Sequence, residues 1–131
     1  MTTINEAVKA ALDAYAPLQA QVGNGDSPET YRTHPLLAPQ DTPLPFVVYQ
    51  KISGARLLTL SDAGSTGVEN MRYRITAYDN ELIDAQAVMD NVRKALAAAA
   101  TLSPWFQFEQ DNYELDTGLY SVTQDYSIWY K

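Results

Sequence analysis

Cysteine is absent from this chain. That excludes a disulfide framework and a thiolate metal site, and it fits a reducing compartment or a protein that needs no cross-link. Histidine occurs once, as His34. One histidine without cysteine argues against zinc, and a nucleophile–base–acid triad would have only His34 as its base. No run approaches the roughly 18 apolar residues of a membrane span. The longest bland stretch, Ala95 to Ala100, is short and alanine-rich. Met1 to Glu6 are polar, without the basic n-region and apolar run of a secretory signal. Basic residues are scarce too: 9 Lys and Arg stand against 16 Asp and Glu, a formal net charge of −7. Such a surface repels phosphate backbones and argues against autonomous nucleic-acid binding. It would still let DNA slide past without sticking, and it discourages random self-association.

What is present suits one globular domain over residues 1–131. Apolar residues make up 46% of the 131-residue chain, enough for a core without staples. A first helix is expected over 3–21, because Ile4, Val8, Ala11, Tyr15 and Leu18 share one face. Thr2 or Thr3 can cap it, with Glu6 completing a capping box. Pro17 lacks a backbone donor, so the helix should kink or stop near Ala16. Residues 23–44 carry Gly23, Gly25, Pro28, Pro35, Pro39 and Pro43 and read as a long functional loop. Tyr31, Leu36 and Leu37 give it something to dock, and a short turn or strand fits around Tyr31 to Leu37.

Phe46 to Ile52 reads as a strand, and Arg56 to Leu60 as a second, joined by a Ser53-Gly54 turn. Ser61 to Gly67 reads as a flexible tip. In the next strand, Val68 to Tyr78, Met71, Tyr73, Ile75 and Ala77 alternate inward while Arg72, Arg74 and Thr76 alternate outward. A second helix is expected over Asn80 to Ala100, capped by Asp79 or Asn80. Its stripe is Leu82, Ala85, Met89, Val92 and Leu96; each large member contributes roughly 1.5–3 kcal/mol on burial, before entropy. Ser103-Pro104 should end that region. Trp105 to Glu114 follows as a strand with Phe106 and Phe108 on one side and Trp105 on the other. After an Asp116-Thr117-Gly118 turn, Leu119 to Tyr130 is the last strand, with Tyr120, Val122, Tyr126, Ile128 and Tyr130 on one face. The expected fold is α+β, a mostly antiparallel sheet of about four to five strands packed on two helices, in the order α-β-β-β-α-β-β.

Chemistry is sparse. His34 reads most simply as a solvated loop residue. Gly23-Asn24-Gly25 lacks the lysine and helix of a phosphate loop. Asp111, Glu114 and Asp116 could hold a glycosidase pair, but they flank a turn, where a solvated acidic edge is commoner. The run Asp111 to Asp116 is too loose a match to a calcium loop. Two readings are open for Arg72 and Arg74: a solvated face paired across strands to residues such as Asp125, or contact with an acidic neighbouring subunit. The 9 tyrosines suit both core packing and interfaces.

Four segments, in order, carry a resemblance. They are the N-terminal helix; Pro35-Leu36-Leu37-Ala38-Pro39 through Leu44-Pro45-Phe46-Val47-Val48-Tyr49-Gln50, continued by Lys51-Ile52-Ser53-Gly54; Tyr73-Arg74-Ile75-Thr76-Ala77-Tyr78-Asp79 leading into the second helix; and Tyr113-Glu114-Leu115-Asp116-Thr117-Gly118-Leu119-Tyr120 with the ending Asp125-Tyr126-Ser127-Ile128-Trp129-Tyr130. Together they resemble the tail-completion, or tail-terminator, family of long-tailed phages and prophages. The segment Gly23 to Thr33 is longer than that pattern. The resemblance implies a non-enzymatic virion protein of the tail and neck, assembled in the host cytoplasm. It would form a ring, typically hexameric, that caps the tail tube and joins it to the head connector or stopper. DNA would pass through the lumen without specific binding, and neither cofactor nor membrane is implied. Another neck or tail-tube ring protein is the alternative, then a small ligand-binding or enzymatic α+β domain with His34 beside Asp111 or Glu114. The candidate contacts are Tyr31, Leu36 and Leu37 in the loop, Asp62 and Ser65 in the tip, and Arg72 and Arg74.

Overall fold

The computed structural model describes residues 4–22, 33–36, 44–57, 68–99 and 102–130. Its elements run α1 (Ile4–Ala14), α2 (Ala16–Val22), β1 (Thr33–Pro35), β2 (Phe46–Leu57), β3 (Val68–Asp79), α3 (Leu82–Ala98), β4 (Leu102–Glu114) and β5 (Leu119–Tyr130). The five strands form one sheet in the order β1-β2-β3-β5-β4. Only β1 and β2 run parallel; the other three pairings are antiparallel. The α+β, mostly antiparallel architecture read from the sequence is the one observed.

The expected first helix is two. Pro17 falls in the opening turn of α2, where an N–H would have no partner anyway. The break at Tyr15 leaves the Leu12 carbonyl without its helical donor. The Gln19 side chain supplies one instead, its Nε2 donating to Leu12 O at 2.9 Å. Ile4, Val8, Ala11 and Leu18 of the expected stripe are buried, and Ala7 and Leu12 join them.

The strands bear out the inward row Met71, Tyr73, Ile75 and Ala77, all buried. They correct three other readings. Ser53-Gly54 is no turn: β2 runs through it, bulging between Lys51 and Ser53. Gly54 is needed there for space, since a Cβ would lie 1.9 Å from the Met71 sulfur. Pro104 does not end a region but sits inside β4, tolerable because β4 is an edge strand with one side free of ladder bonds. Phe106 and Phe108 do not share a face. A bulge at Gln107 pairs Phe106 with Tyr126 and Phe108 with Asp125, and adjacent residues of β5 point to opposite faces. The short strand expected near Tyr31 to Leu37 is β1. The expected strand over Arg56 to Leu60 survives only as the end of β2; residues 58–67, with the proposed tip, lie outside the described residues.

All three helices pack on one face of the sheet side by side, α3 across β3 and β5. Ala85, Val88, Met89, Val92, Ala95 and Leu96 of α3 join Tyr73, Ile75, Val122, Tyr126 and Ile128 in one buried cluster. Leu82 of the expected stripe is only half-buried. β1 is tied to α1 by a polar clamp. Lys9 Nζ lies 3.1 Å from Asp13 Oδ2 and donates to Thr33 O at 3.2 Å and to Thr33 Oγ1 at 3.1 Å. Thr33 Oγ1 in turn donates to Asp13 Oδ1 at 2.9 Å.

Two outcomes follow from this packing. Leu96→Ala, at a site with 0% exposure, should lower unfolding free energy by about 2–5 kcal/mol. Ile83→Ala, at 75% exposure on the same helix, should stay within about 0.5 kcal/mol, both read by urea titration. The second concerns His34 in β1. Burial lowers its pKa from 6.5, and Lys9 lowers it further. The unfolded chain therefore takes up the proton first as pH falls. Stability from this site is complete above about 6.5 and is lost as pH drops through that value toward the folded pKa. His34→Gln should flatten this decline in thermal melts recorded across the acid range.

Candidate functional site

The face of the sheet opposite the helices carries a polar centre with aromatic flanks. Alternation puts Asn70, Arg72, Arg74, Thr76 and Tyr78 of β3 there, with Ser121, Thr123, Asp125, Ser127 and Trp129 of β5 beside them. Asp125 lies at the middle and is 3% exposed. Arg74 grips it with both arms of the guanidinium, Nε donating to Oδ1 at 2.9 Å and Nη2 to Oδ2 at 3.1 Å. Arg72 Nη2 stands off at 4.0 Å from the same carboxylate. The bond to Asp125 is the main reason the Arg74 pKa is raised. Thr76 and Thr123 hydroxyls meet at 3.1 Å, and Asn70 Nδ2 donates to Ser127 Oγ at 2.7 Å. Toward β2, Phe46 and Tyr78 stack at 4.9 Å between centroids. Toward β4, Trp105, Phe108 and Trp129 are exposed.

The cross-strand pairing of the arginines with Asp125 is therefore realised, while about half of each arginine side chain remains open to a partner. Leu36 follows β1 and is exposed, with a left-handed φ of 63°. That conformation is uncommon for leucine, and it is held by the Leu36 N–H donating to Tyr49 O at 2.9 Å. Tyr31, Leu37, Asp62 and Ser65 lie outside the described residues, so only Arg72, Arg74 and Leu36 of the candidate contacts can be placed. Leu36 is at the β1 edge and the arginines are two strands away; they do not form one cluster.

The same topology separates the residues a catalytic site would need. His34 is on β1 and Asp111 and Glu114 are on β4, the opposite edges of the sheet. Four strand spacings, about 19 Å, lie between them. Among the described residues, no group of three His, Asp or Glu is placed to hold a metal ion. A depression of about 220 Å³ lined by Pro45, Asp79, Asp84, Ala87 and Val88 is smaller than the roughly 300 Å³ where small-molecule sites begin.

The sequence pattern placed a strand over Trp105 to Glu114 but did not disclose that it lies at the sheet edge. It is exposed along nearly its whole length, with Trp105 at 66%, Phe106 at 53%, Phe108 at 43% and Tyr113 at 49%. The available signal was aromatic residues at both odd and even positions, which no strand with one solvated face would carry.

The buried carboxylate gives a measurable expectation. Asp125→Ala should cost about 1–3 kcal/mol, less than a fully buried pair would, because water reaches Arg74 and screens it. Combining it with Arg74→Ala should cost less than the two singles summed, by a coupling of about 0.5–3 kcal/mol in a double-mutant cycle.

Comparison with known proteins completes the description of this surface. No curated protein matches the chain. A chain from the structure titled "Virion of native gene transfer agent (GTA) particle" shares the fold, with a TM-score of 0.69 at 17% identity over 97% of this chain and 93% of that one. The family model described as "Tail completion protein gp17" matches residues 6–131. That span takes in the helices, the sheet and both of its faces. The chain belongs to the tail completion protein gp17 family and is a structural component of phage tails and of the virion they serve.

Proposed function

We propose that this chain is a single-domain tail terminator: a ring of identical copies, six by the resemblance, that caps the finished tail tube and joins it to the head connector or stopper. The observation that carries the reading is the family match over residues 6–131. The physical character of the molecule supports it. A sheet that the described residues cover on one face only leaves a second face and a long edge for neighbours, and exposed aromatic residues such as Trp105 and Phe108 suit protein contacts. The wide separation of His34 from Asp111 and Glu114 supports a structural role over a catalytic one. A formal net charge of −7 suits a lumen through which DNA passes without being held. Assembly would take place in the host cytoplasm, without a membrane.

In this reading Arg72 and Arg74 face an acidic surface of an adjoining subunit. Arg72, the arginine farther from Asp125, is the freer of the two to do so. Leu36 marks where the loop, with Tyr31 and Leu37, reaches a neighbour, and Asp62 and Ser65 would do the same from the tip.

The test is to mix purified protein with tail tubes and image them. Tube ends should acquire a terminal ring and stop elongating, and particles assembled without the protein should have overlong or headless tails. Bare ends at saturating protein would overturn the proposal. Rings built along the tube or above the neck, with bare tube tips, would favour another ring protein of the same assembly.

A further inference from the structure

The open face of the sheet has two unlike walls. Its rungs set Arg72 opposite Ser127 and Ser127 opposite Trp105; they set Arg74 opposite Asp125 and Asp125 opposite Phe108. Two arginines on β3 thus look across short β5 side chains at two exposed rings on β4. The two rows stand two strand spacings apart, about 10 Å. Trp129, diagonal to Trp105, adds a third exposed ring. The result is a shallow trough, cationic on one wall and aromatic on the other. Asp125 is taken up by Arg74. Among the described residues, Arg72 has no ionic partner beyond that same carboxylate at 4.0 Å. Two guanidinium groups over one carboxylate leave the trough positive, in a chain whose formal net charge is −7. Exposed rings beside arginines are the composition of a protein-binding centre. The complement of such a trough is an apolar side chain set between acids.

This chain carries one. Leu115 is 87% exposed, the most of any large hydrophobic side chain among the described residues. It stands between Glu114 and Asp116 at the tip of the β4–β5 hairpin. The tip is held in one shape. Gly118 N–H donates to Glu114 O at 2.8 Å, with a φ of 70° that glycine adopts freely. Thr117 Oγ1 donates to Glu114 Oε2 at 3.0 Å, and the Tyr113 and Tyr120 rings meet at 4.7 Å below the turn. Among the described residues neither acid of the tip has a basic partner. Glu114 and Asp116 are two residues apart, as Arg72 and Arg74 are, a step of about 7 Å in an extended chain. The exposed apolar residues elsewhere fit less well. Leu36 has no acid beside it in sequence. Ile83 lies between Glu81 and Asp84, but those acids open α3, where the helix dipole already favours them. Nor can the tip fill the trough of its own copy. β4 and β5 pair without a break from Phe108 to Glu114, which holds the tip about 20 Å from Asp125.

We infer that the trough takes the β4–β5 hairpin tip of a second copy of this chain. Leu115 packs against Trp105, Phe108 and Trp129, and Glu114 and Asp116 meet Arg72 and Arg74. Trough against trough would set arginine against arginine, and tip against tip would set acid against acid. The contact therefore joins two different patches and leaves one of each free until a ring closes. The inference rests on the ring reading above and names the acidic surface that the arginines meet.

The native chain has no cysteine, so an introduced pair reports without background. Trough variants Trp105→Cys and Ser103→Cys, the second keeping every ring, are mixed as separate proteins with tip variants Leu115→Cys or Thr117→Cys. On mild oxidation with tail tubes present, a trough variant and a tip variant should give a covalent dimer that neither gives alone. Within one chain, positions 105 and 115 are about 30 Å apart along β4, beyond the reach of a disulfide. The Trp105→Cys, Leu115→Cys double variant should therefore give a ladder of larger species. Ile83→Cys in place of the tip variant should give no dimer. Arg72→Glu in the trough copy should lose most of the yield, as should Asp116→Arg in the tip copy, and the two reversals together should restore it. The substituted residues are all exposed, and thermal melts check that each variant folds. A dimer from a trough variant alone, an equal yield with Ile83→Cys, reversals that do not rescue each other, or no cross-link in any trough and tip mixture overturns the inference. Imaging the same samples separates the two claims. Capped tubes without cross-links remove this contact and leave the capping. Cross-links with bare tube ends do the reverse.

Discussion

Val88, Met89, Val92 and Leu96 of α3 lie against β3 and β5 in one buried layer with Tyr73, Ile75, Val122, Tyr126 and Ile128. The sheet, the remaining helices and the surface facets take their positions from that layer. α3 covers the middle of the sheet, α1 and α2 pack beside it, and none of the described helices lies on the other face. Hydrophobic burial is thereby confined to one side, and the second side is stabilised by cross-strand pairs. Asp125 with Arg74, Thr76 with Thr123 and Asn70 with Ser127 hold β3 to β5 with no covering layer among the described residues. The buried layer fixes the registers, and the registers bring those polar partners together.

A one-sided sheet also accounts for where the molecule is apolar but unfilled. The helices end before the β4 edge, so Phe106 has an edge-to-face contact with Tyr126 at 5.8 Å yet stays half exposed, and Trp105 and Phe108 stay exposed on the other face. A domain that had to be finished alone would place polar residues there. One that is completed by neighbours can leave them aromatic, while its net negative charge keeps free copies apart.

Much of the frame was legible in the sequence because its signals are periodic. Met71, Tyr73, Ile75 and Ala77 repeat every two residues, and Ala85, Met89, Val92 and Leu96 recur at helical spacing. The pairing of Arg74 with Asp125 was within reach once both strands were placed. What stayed hidden is what periodicity does not encode. Ser53-Gly54 has turn composition, but Gly54 is there to admit the Met71 side chain. Pro104 has breaker composition, but an edge strand tolerates it. β1, expected as a short turn or strand, is only three residues long, and no pattern marked its bounds or its parallel partner. Of the candidate contacts, Arg72, Arg74 and Leu36 have positions, whereas the β4 edge carried its signal in rings of both parities, which alternation counts as noise.

The bulge at Gln107 amounts to a phase change written in a single residue. Upstream of it, odd-numbered side chains of β4 share a face with Trp129; downstream, even-numbered ones do. Deleting that residue would restore one phase. Phe106 would stay opposite Tyr126 and Phe108 opposite Asp125, with Glu109 and Asp111 still on the helix side beside Gln124 and Gln86, their present partners. The bulged residue is thus a spacer, which can go without any ring changing faces. Relatives that lose a residue at this point would present the same rings on a straighter edge, with the fold beneath unchanged.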